Sequence, residues 1–307
     1  MIKRTLYFGN PAYLRKQNEQ LVITFPENGS ELTEKERSTT IPIGDIGIVV
    51  LDHAQITISQ SLISKLLENN VALITCNQTH HPTGMLLNLD GNTLQAERFA
   101  DQINASLPLK KQLWSQTVEQ KIKNQAAVLK QFGTGDHEVL IQMAKNVRSG
   151  DPENFEGRAA AYYWKHVFGE ESCFTRGREG DPPNHLLNYG YAILRATTAR
   201  SLVGSGLMPT LGIHHRNKYN AYCLADDIME PYRPIVDEVV CNILKQNSNI
   251  PDELNKELKA ELLKIPAIDV IIDKEKSPLM VAMQRTTASL NKCFAGEYHR
   301  ILYPIMA

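Results

Sequence analysis

The feature that most constrains this chain is a change of hydrophobic rhythm at Asp90-Gly91-Asn92. Before it, short segments rich in β-branched and apolar residues alternate with turn formers, a pattern typical of strands. After it, apolar residues recur at helical spacing over ten or more positions at a time. We therefore predict an α+β chain, with a β-rich domain (sandwich or barrel) over residues 1–90 and a larger all-α domain over residues 91–307.

The individual elements follow from the same two rhythms. In the first domain we predict one helix over 59–68 and strands over 4–8, 21–25, 46–51, 71–76 and 84–89. In the second we predict helices over 109–131, 138–148, 154–168, 185–205 and 234–245. The charged stretch 252–264 is interpreted as a solvated helix.

Composition removes several classes of protein. Lys and Arg number 33 against 34 Asp and Glu, so the net charge of −1 points neither to nucleic acid nor to a membrane, and any polyanion site must be a local patch. The five cysteines lie far apart without a C-x-x-C pair, which excludes a disulfide framework or a zinc knuckle. No apolar run approaches the roughly 20 residues that cross a bilayer. We predict a cytoplasmic protein with no membrane association.

The most unusual local composition lies in the 44-residue stretch 182–225, which contains no Asp or Glu. It carries Arg195, Arg200, Arg216 and Lys218, and Asp226-Asp227-Ile228-Met229-Glu230 follows directly. A basic, acid-free stretch beside a carboxylate cluster suits a site that grips a phosphodiester with a metal ion. The alternative is a helical core segment with ordinary surface arginines.

Three carboxylates are candidate metal ligands. On a helical turn, Asp227 and Glu230 share a face, and like charges placed there repel unless a cation lies between them. Glu156 follows a predicted helix start, and the small Gly157 next to it permits a close approach. The alternatives are solvated acids at one helix end and an acid that stabilises the N-terminus of another helix.

Two neighbouring histidines, His214 and His215, complete the candidate set. Neutral imidazole together with carboxylate oxygens suits Mn²⁺ or Mg²⁺. Close by, Tyr219 is suited to stack on an unpaired base and Lys218 to meet a phosphate. Structural roles in the core remain the alternative for each of these residues.

Four motifs in a fixed order make the chain recognisable. They are Glu156-Gly157-Arg158-Ala159-Ala160, then 184–191, then Leu211-Gly212-Ile213-His214-His215, then 226–234. With them the chain resembles, over essentially its whole length, the CRISPR-associated integrase and endonuclease family ("Cas one") of type II systems.

The resemblance implies an N-terminal β-sandwich used in dimerisation and a C-terminal helical, metal-dependent catalytic domain. It also implies a homodimer, two of which flank a dimer of a small ferredoxin-like "Cas two" subunit in a heterohexamer. Such a complex serves antiviral defence: it captures short double-stranded DNA with 3′ ends and inserts it into CRISPR repeat DNA by transesterification. Two other functions stay open from the residues, a metal-dependent nuclease acting on branched DNA in repair and a non-catalytic DNA-binding scaffold.

The resemblance also implies roles for particular residues. The catalytic metal ligands fall on Glu156, His215 and Glu230, with Asp227 as a further acid of the metal site and Mg²⁺ or Mn²⁺ as the ion. His215 is preferred to His214 by its place in the motif. The residues predicted to contact DNA are Arg158, Arg195, Arg200, Arg216, Lys218 and Tyr219.

Overall fold

The computed structural model describes residues 3–26, 33, 36–169, 172–177, 180–247 and 251–306. The chain divides into two compact units, Met1–Gly91 and Asn92–Ala307. The first is rich in strands and the second in helices, which confirms the predicted α+β class. None of the helices in the described ranges combines the length and the apolar character that a membrane crossing requires.

The first unit contains eight described strands and one helix. In chain order they are β1 (Arg4–Phe8), β2 (Ala12–Gln17), β3 (Gln20–Thr24), β4 (Ser38–Pro42), β5 (Ile46–Leu51), β6 (Ile56–Ile58), α1 (Gln60–Glu68), β7 (Ala72–Cys76) and β8 (Pro82–Leu86).

These strands form two four-stranded sheets, ordered β1-β5-β7-β8 and β4-β3-β2-β6. Strands β1, β5 and β7 run parallel, and β5 is an unbroken apolar run buried along nearly its whole length, as expected for an inner parallel strand. Leu14, Leu21, Ile46 and Leu66 belong to one core cluster to which both sheets and α1 contribute. That the two sheets pack as a sandwich stays a prediction.

The second unit contains nine described helices and a hairpin. The elements are α2 (Gln95–Asn104), α3 (Leu107–Phe132), α4 (His137–Lys145), α5 (Phe155–His166), α6 (Asn184–Gly204), α7 (Cys223–Met229), α8 (Arg233–Gln246), α9 (Lys256–Leu262), β9 (Asp269–Ile272), β10 (Glu275–Pro278) and α10 (Leu279–Phe294).

Two expectations for this unit are wrong. It is not all-α, because β9 and β10 pair antiparallel around Asp273 and Lys274, whose φ angles of 50° and 65° are those of a tight hairpin turn. Two strands of four residues without a glycine at the turn leave no signal in the sequence. The stretch 252–264 is not simply solvated either, since Leu258, Lys259 and Leu262 of α9 are buried.

Helices α3 and α6 organise the second unit. Helix α6 is buried on nearly all sides and packs against α7, α8, α9 and α10, which explains its apolar and small-residue composition. Helix α3 packs against α4, α5, α8 and the 3-10 turn at Glu230–Tyr232, between α7 and α8. This packing brings the middle of α3, the start of α5 and the end of α7 together.

Candidate functional site

The candidate site is centred on a lysine that joins two of the predicted carboxylates. Lys121, on the buried face of α3, forms an ion pair with Glu156 Oε1, and its Nζ lies 2.6 Å from Glu230 Oε2. The Lys121 residue is only 7% exposed. Burial opposes its charge, but Glu230 and Glu156 outweigh that effect and raise the pKa of Lys121. One ammonium therefore lies between two acids that are 74 residues apart in the chain.

Glu156 is positioned by the capping of α5. Asp151 accepts hydrogen bonds from the backbone N–H groups of Phe155 and Glu156, both at 2.9 Å, and Asn154 accepts one from Gly157. A Cβ on Gly157 would lie 2.8 Å from the Asn154 side chain. The group that approaches Gly157 closely is therefore the capping side chain of Asn154. This contact explains why the position is glycine.

Glu230 begins the 3-10 turn and is held by two cations. Arg233 Nε donates a hydrogen bond of 2.8 Å to Glu230 Oε1, while Lys121 contacts Oε2. Burial raises the pKa of Glu230, but the charges of Arg233 and Lys121 outweigh it and hold this pKa at about 2. Glu230 is therefore ionised at any physiological pH, although the residue is only 6% exposed.

Asp227 orients His215 rather than presenting a free carboxylate. It is fully buried and accepts hydrogen bonds from the backbone N–H groups of Ile213, His214 and His215 at 2.7–3.2 Å. Its Oδ1 lies 2.5 Å from His215 Nδ1. A Cβ on Gly212 would lie 2.8 Å from Asp227 Oδ2, so only glycine lets the loop close over this carboxyl. The expectation that Asp227 binds metal directly is revised: its oxygens are engaged by the loop and the imidazole.

The two predicted histidines differ in their surroundings. The hydrogen bond to Asp227 raises the pKa of His215, whereas burial lowers that of His214. The ring of His214 stacks on Trp114 of α3 at 4.0 Å, and His215 meets the same indole edge-on at 5.7 Å. With Nδ1 of His215 held by Asp227, Nε2 is the ring nitrogen left for a ligand, the arrangement usual for metal-binding histidines.

Trp114 and Lys121 were missed by the sequence reasoning. They lie seven residues apart on α3, two helical turns, and so share one face. A lysine in register with the buried face of a long helix is unusual, because lysine is almost never fully buried without a partner. The position of Lys121 in the helical repeat of buried residues was therefore the sequence signal that could have identified it.

The structure separates the basic residues predicted to contact DNA. Arg158 and Arg216 are exposed, as is Lys218, whose ammonium lies 4.8 Å from the ring centroid of the 84% exposed Tyr219. Arg195 is partly exposed, and its Nε donates a hydrogen bond to Asp226 Oδ1 at 2.7 Å.

Arg200 does not fit the predicted role. It is 2% exposed on the buried side of α6, and burial lowers its pKa to about 10. A buried guanidinium is out of reach of a DNA phosphate, so the prediction for Arg200 is wrong. Helical position, which composition does not reveal, separates it from Arg195 five residues earlier.

The donors at the site suit a divalent cation. Within the described part of the chain, no three His, Cys, Asp or Glu side chains are gathered closely enough to hold a metal. Glu156 and Glu230 nevertheless already share one cation, the Lys121 ammonium. Glu230 Oε2 is buried and, among the described residues, accepts no well-oriented hydrogen bond beyond this ionic contact. Two carboxylate oxygens and one imidazole nitrogen form a ligand set appropriate to Mg²⁺ or Mn²⁺.

A second buried carboxyl, missed by the sequence reasoning, lies on α8. Asp237 is 1% exposed and accepts hydrogen bonds from the hydroxyl groups of Tyr163, at 3.0 Å, and Tyr191. Burial raises the pKa of Asp237 to about 7, against the lowering effect of these hydrogen bonds. The guanidinium of Arg233 lies 4.7 Å from the Tyr191 ring centroid and connects this cluster to Glu230.

Comparison with known proteins gives consistent results. The family model described as CRISPR associated protein Cas1, the "Cas one" family, matches residues 6–274. A "CRISPR-associated endonuclease Cas1" of Neisseria meningitidis serogroup C (strain 8013) is 36% identical over 290 residues, covering 94% of this chain and 91% of that protein.

Solved structures share the fold. A casposase bound to integration product superposes with a TM-score of 0.79 at 18% identity, covering 98% of this chain and 92% of the other. A chain of a Cas6-RT-Cas1–Cas2 complex superposes with a TM-score of 0.72 at 19% identity, covering 97% of this chain but 35% of that longer chain. From the family match and the curated relative, the chain belongs to the Cas1 family of CRISPR-associated proteins.

Proposed function

We propose that this protein is the integrase and endonuclease of CRISPR adaptation and inserts short captured DNA into the repeat array. The observation that carries the proposal is the pairing of Glu156 and Glu230 around one cation, in the same unit as an imidazole oriented by a buried acid. Family membership supports it, as do the name of the Neisseria relative and the casposase fold likeness.

Glu156, Glu230 and His215 are the residues that would hold Mg²⁺ or Mn²⁺. When bound, such an ion polarises a phosphodiester and stabilises charge on the leaving oxygen. The chain supplies what the ion needs. Arg233 keeps Glu230 ionised, and Asp227 holds His215 Nδ1 so that Nε2 stays directed to a ligand.

The DNA is held, in this proposal, by the exposed basic residues. Arg158, Arg216 and Lys218 contact phosphates, and Tyr219 stacks on an unpaired base at the end of a strand. Arg195 donates through Nε to Asp226 and its side chain is partly exposed, so its terminal guanidinium nitrogens are the ones that contact a phosphate. These contacts align a DNA 3′-hydroxyl with the phosphodiester that it attacks, a step that demands mainly positioning and electrostatics.

The proposal includes an assembly in the cytoplasm. We infer that the two sheets of the first unit pack as a β-sandwich, since they share one core cluster, and that this unit carries a homodimer contact. A Cas2-type subunit completes a heterohexamer. The fold likeness to a chain from a complex named for both Cas1 and Cas2 supports this partner.

A strand-joining assay tests the function. Branched DNA carrying either a free or a blocked 3′-hydroxyl is incubated with the protein and Mn²⁺, and joined and cut products are measured. We expect joining only with the free hydroxyl, and loss of product in EDTA and in Glu156→Ala, His215→Ala and Glu230→Ala. His214→Ala should retain activity, and the reverse result would exchange the roles of the two histidines.

Other outcomes point to the alternatives. Cut product that is the same with free and blocked 3′ ends indicates a nuclease acting on branched DNA. DNA binding with no metal-dependent product in any condition indicates a non-catalytic scaffold.

A further inference from the structure

We propose that Lys121 is the resident cation of the carboxylate site: its ammonium holds Glu156 and Glu230 in place, and a divalent ion must displace it to bind. This inference rests on the proposed function, in which the same two carboxylates ligate metal. It assigns to α3 a residue that regulates metal loading.

The Lys121 ammonium contacts the oxygen atoms of the two glutamates that are available to a metal. Glu230 Oε1 is engaged by Arg233 Nε at 2.8 Å, so Oε2 is the oxygen left for a metal. Lys121 Nζ lies 2.6 Å from that same Oε2 and also contacts Glu156 Oε1. A divalent ion bound by the two glutamates would therefore compete with the Lys121 ammonium for the same oxygens.

The two cations that contact Glu230 differ in how tightly their surroundings hold them. Arg233 is pinned, with its guanidinium over the Tyr191 ring at 4.7 Å and its Nε on Glu230. Lys121 ends in a compact ammonium on a flexible four-carbon stem, whose direction changes by rotation about single bonds. We therefore expect the Lys121 ammonium to move when a divalent ion enters, while Arg233 stays on Glu230.

Lys121 balances the charge of the two glutamates. Without Lys121, Glu156 would lose its ion pair and would face the buried, ionised Glu230. Bringing two carboxylates together without the cation between them costs free energy of folding. With Lys121, that cost is removed, but a divalent ion must break two ion pairs and meet a positive charge. The same residue therefore stabilises the metal-free protein and weakens metal binding.

Among the described residues, the two glutamates are the groups that hold the Lys121 ammonium. The ammonium forms ion pairs with Glu156 and Glu230, and the residue is 7% exposed. Lys123, two positions further on α3, is half exposed and forms an ion pair with Glu119 at 2.5 Å. The two lysines share helix and charge but not surroundings, so Lys123 provides a matched control.

The experiment measures Mn²⁺ binding to the full-length protein by electron paramagnetic resonance and follows thermal unfolding with EDTA or Mn²⁺. For Lys121→Met we expect a Kd for Mn²⁺ about tenfold lower than in the wild type. We also expect a lower Tm in EDTA and a larger rise of Tm on adding Mn²⁺. Lys123→Met should match the wild type in all three measurements.

A second variant moves the affinity in the opposite direction and guards against poor folding of the first. Lys121→Arg keeps the charge and binds carboxylates through a fork, so we expect weaker Mn²⁺ binding than in the wild type. An unchanged Mn²⁺ affinity in either folded variant, or weaker binding in Lys121→Met, would overturn the inference. If wild type and Glu230→Gln show the same absence of Mn²⁺ binding, the metal site of the proposed function fails instead.

Discussion

Two buried carboxyl groups only seven residues apart, Glu230 and Asp237, are held in opposite ways. Glu230 faces Arg233 and Lys121, and its pKa is about 2. Asp237 is hydrogen-bonded by the neutral hydroxyls of Tyr163 and Tyr191, and burial raises its pKa to about 7. The two residues are 6% and 1% exposed, so burial alone does not account for the difference.

The difference shows what makes a buried acid usable by a metal. Burial disfavours the charged form, and nearby cations and hydrogen bonds oppose that effect: at Glu230 they outweigh burial, and at Asp237 they do not. At Glu230 two cations keep the acid ionised, and the neighbouring Glu156 side chain is 31% exposed, which gives the site access to solvent. At Asp237 the tyrosines satisfy the carboxyl without charging it, so that cluster is suited to hold α5, α6 and α8 together.

The largest expected effect comes from removing the residue that lies between the two regions. Arg233→Met breaks the ion pair with Glu230 and the contact with Tyr191, and should destabilise the protein by about 3–5 kcal/mol, as for other broken buried pairs. Urea unfolding in EDTA measures it. The double variant Glu230→Gln with Arg233→Met should recover part of the loss. A loss of unfolding free energy below about 1 kcal/mol would show that water replaces the guanidinium. The contrast between Glu230 and Asp237 would then no longer hold.

The second effect is a pH dependence specific to Asp237. Its folded pKa of about 7 lies above the ordinary value of about 3.9, so the folded state keeps a proton that the unfolded chain loses. Stability from this group is therefore fully present below about pH 4 and falls as the pH rises to about 7, by an amount on the order of 2–4 kcal/mol.

Asp237→Asn should flatten this part of the profile, measured as unfolding free energy against pH relative to the wild type. Glu230→Gln is the contrasting control. The pKa of Glu230 is depressed, so its contribution is present above about pH 4.5 and is lost as the pH falls towards 2. Equal changes in both variants between pH 4 and 7 would contradict the opposite charge states.

The third prediction concerns Asp227, a buried acid held by backbone N–H groups and an imidazole. Asp227→Asn removes an acceptor at His215 Nδ1 and should reduce Mn²⁺ affinity or strand joining by about 10–100-fold. Asp237→Asn, assayed beside it, should retain the rate within a few-fold. A similar loss in both variants would mean that the tyrosine cluster also shapes the site.

The smallest effect extends the contrast from acids to arginines. Arg216→Ala should weaken DNA binding and reduce the slope of log affinity against log salt by about 1, because one exposed phosphate contact is lost. Arg200→Met should leave that slope unchanged, although it lowers stability, because this guanidinium is buried. Filter binding over a series of salt concentrations separates the two. A shared reduction would restore Arg200 to the DNA surface.

Prediction of the fold succeeded where the pattern was strong and local. Strand β5 coincides with its predicted range because an inner parallel strand is apolar at every position. Strands β2 and β4 were missed because they carry polar residues on their exposed faces, as in Arg15, Lys16 and Thr39. Helices α2 and α10 were also missed, although α10 is a long helix of the second core.

For the candidate site, the sequence by itself determined which acids and imidazoles to consider, because their order in four motifs is a property of the chain. Only the tertiary structure decided their states and partners. Lys121 is 35 residues from Glu156, and Asp227 is 12 from His215, so no local rule pairs them. The charge of a buried group depends on its burial and on the distance and sign of its neighbours, which is why Glu230 is ionised and Asp237 keeps its proton below about pH 7. Helix packing likewise decides that Arg200 is buried while Arg195 is partly exposed.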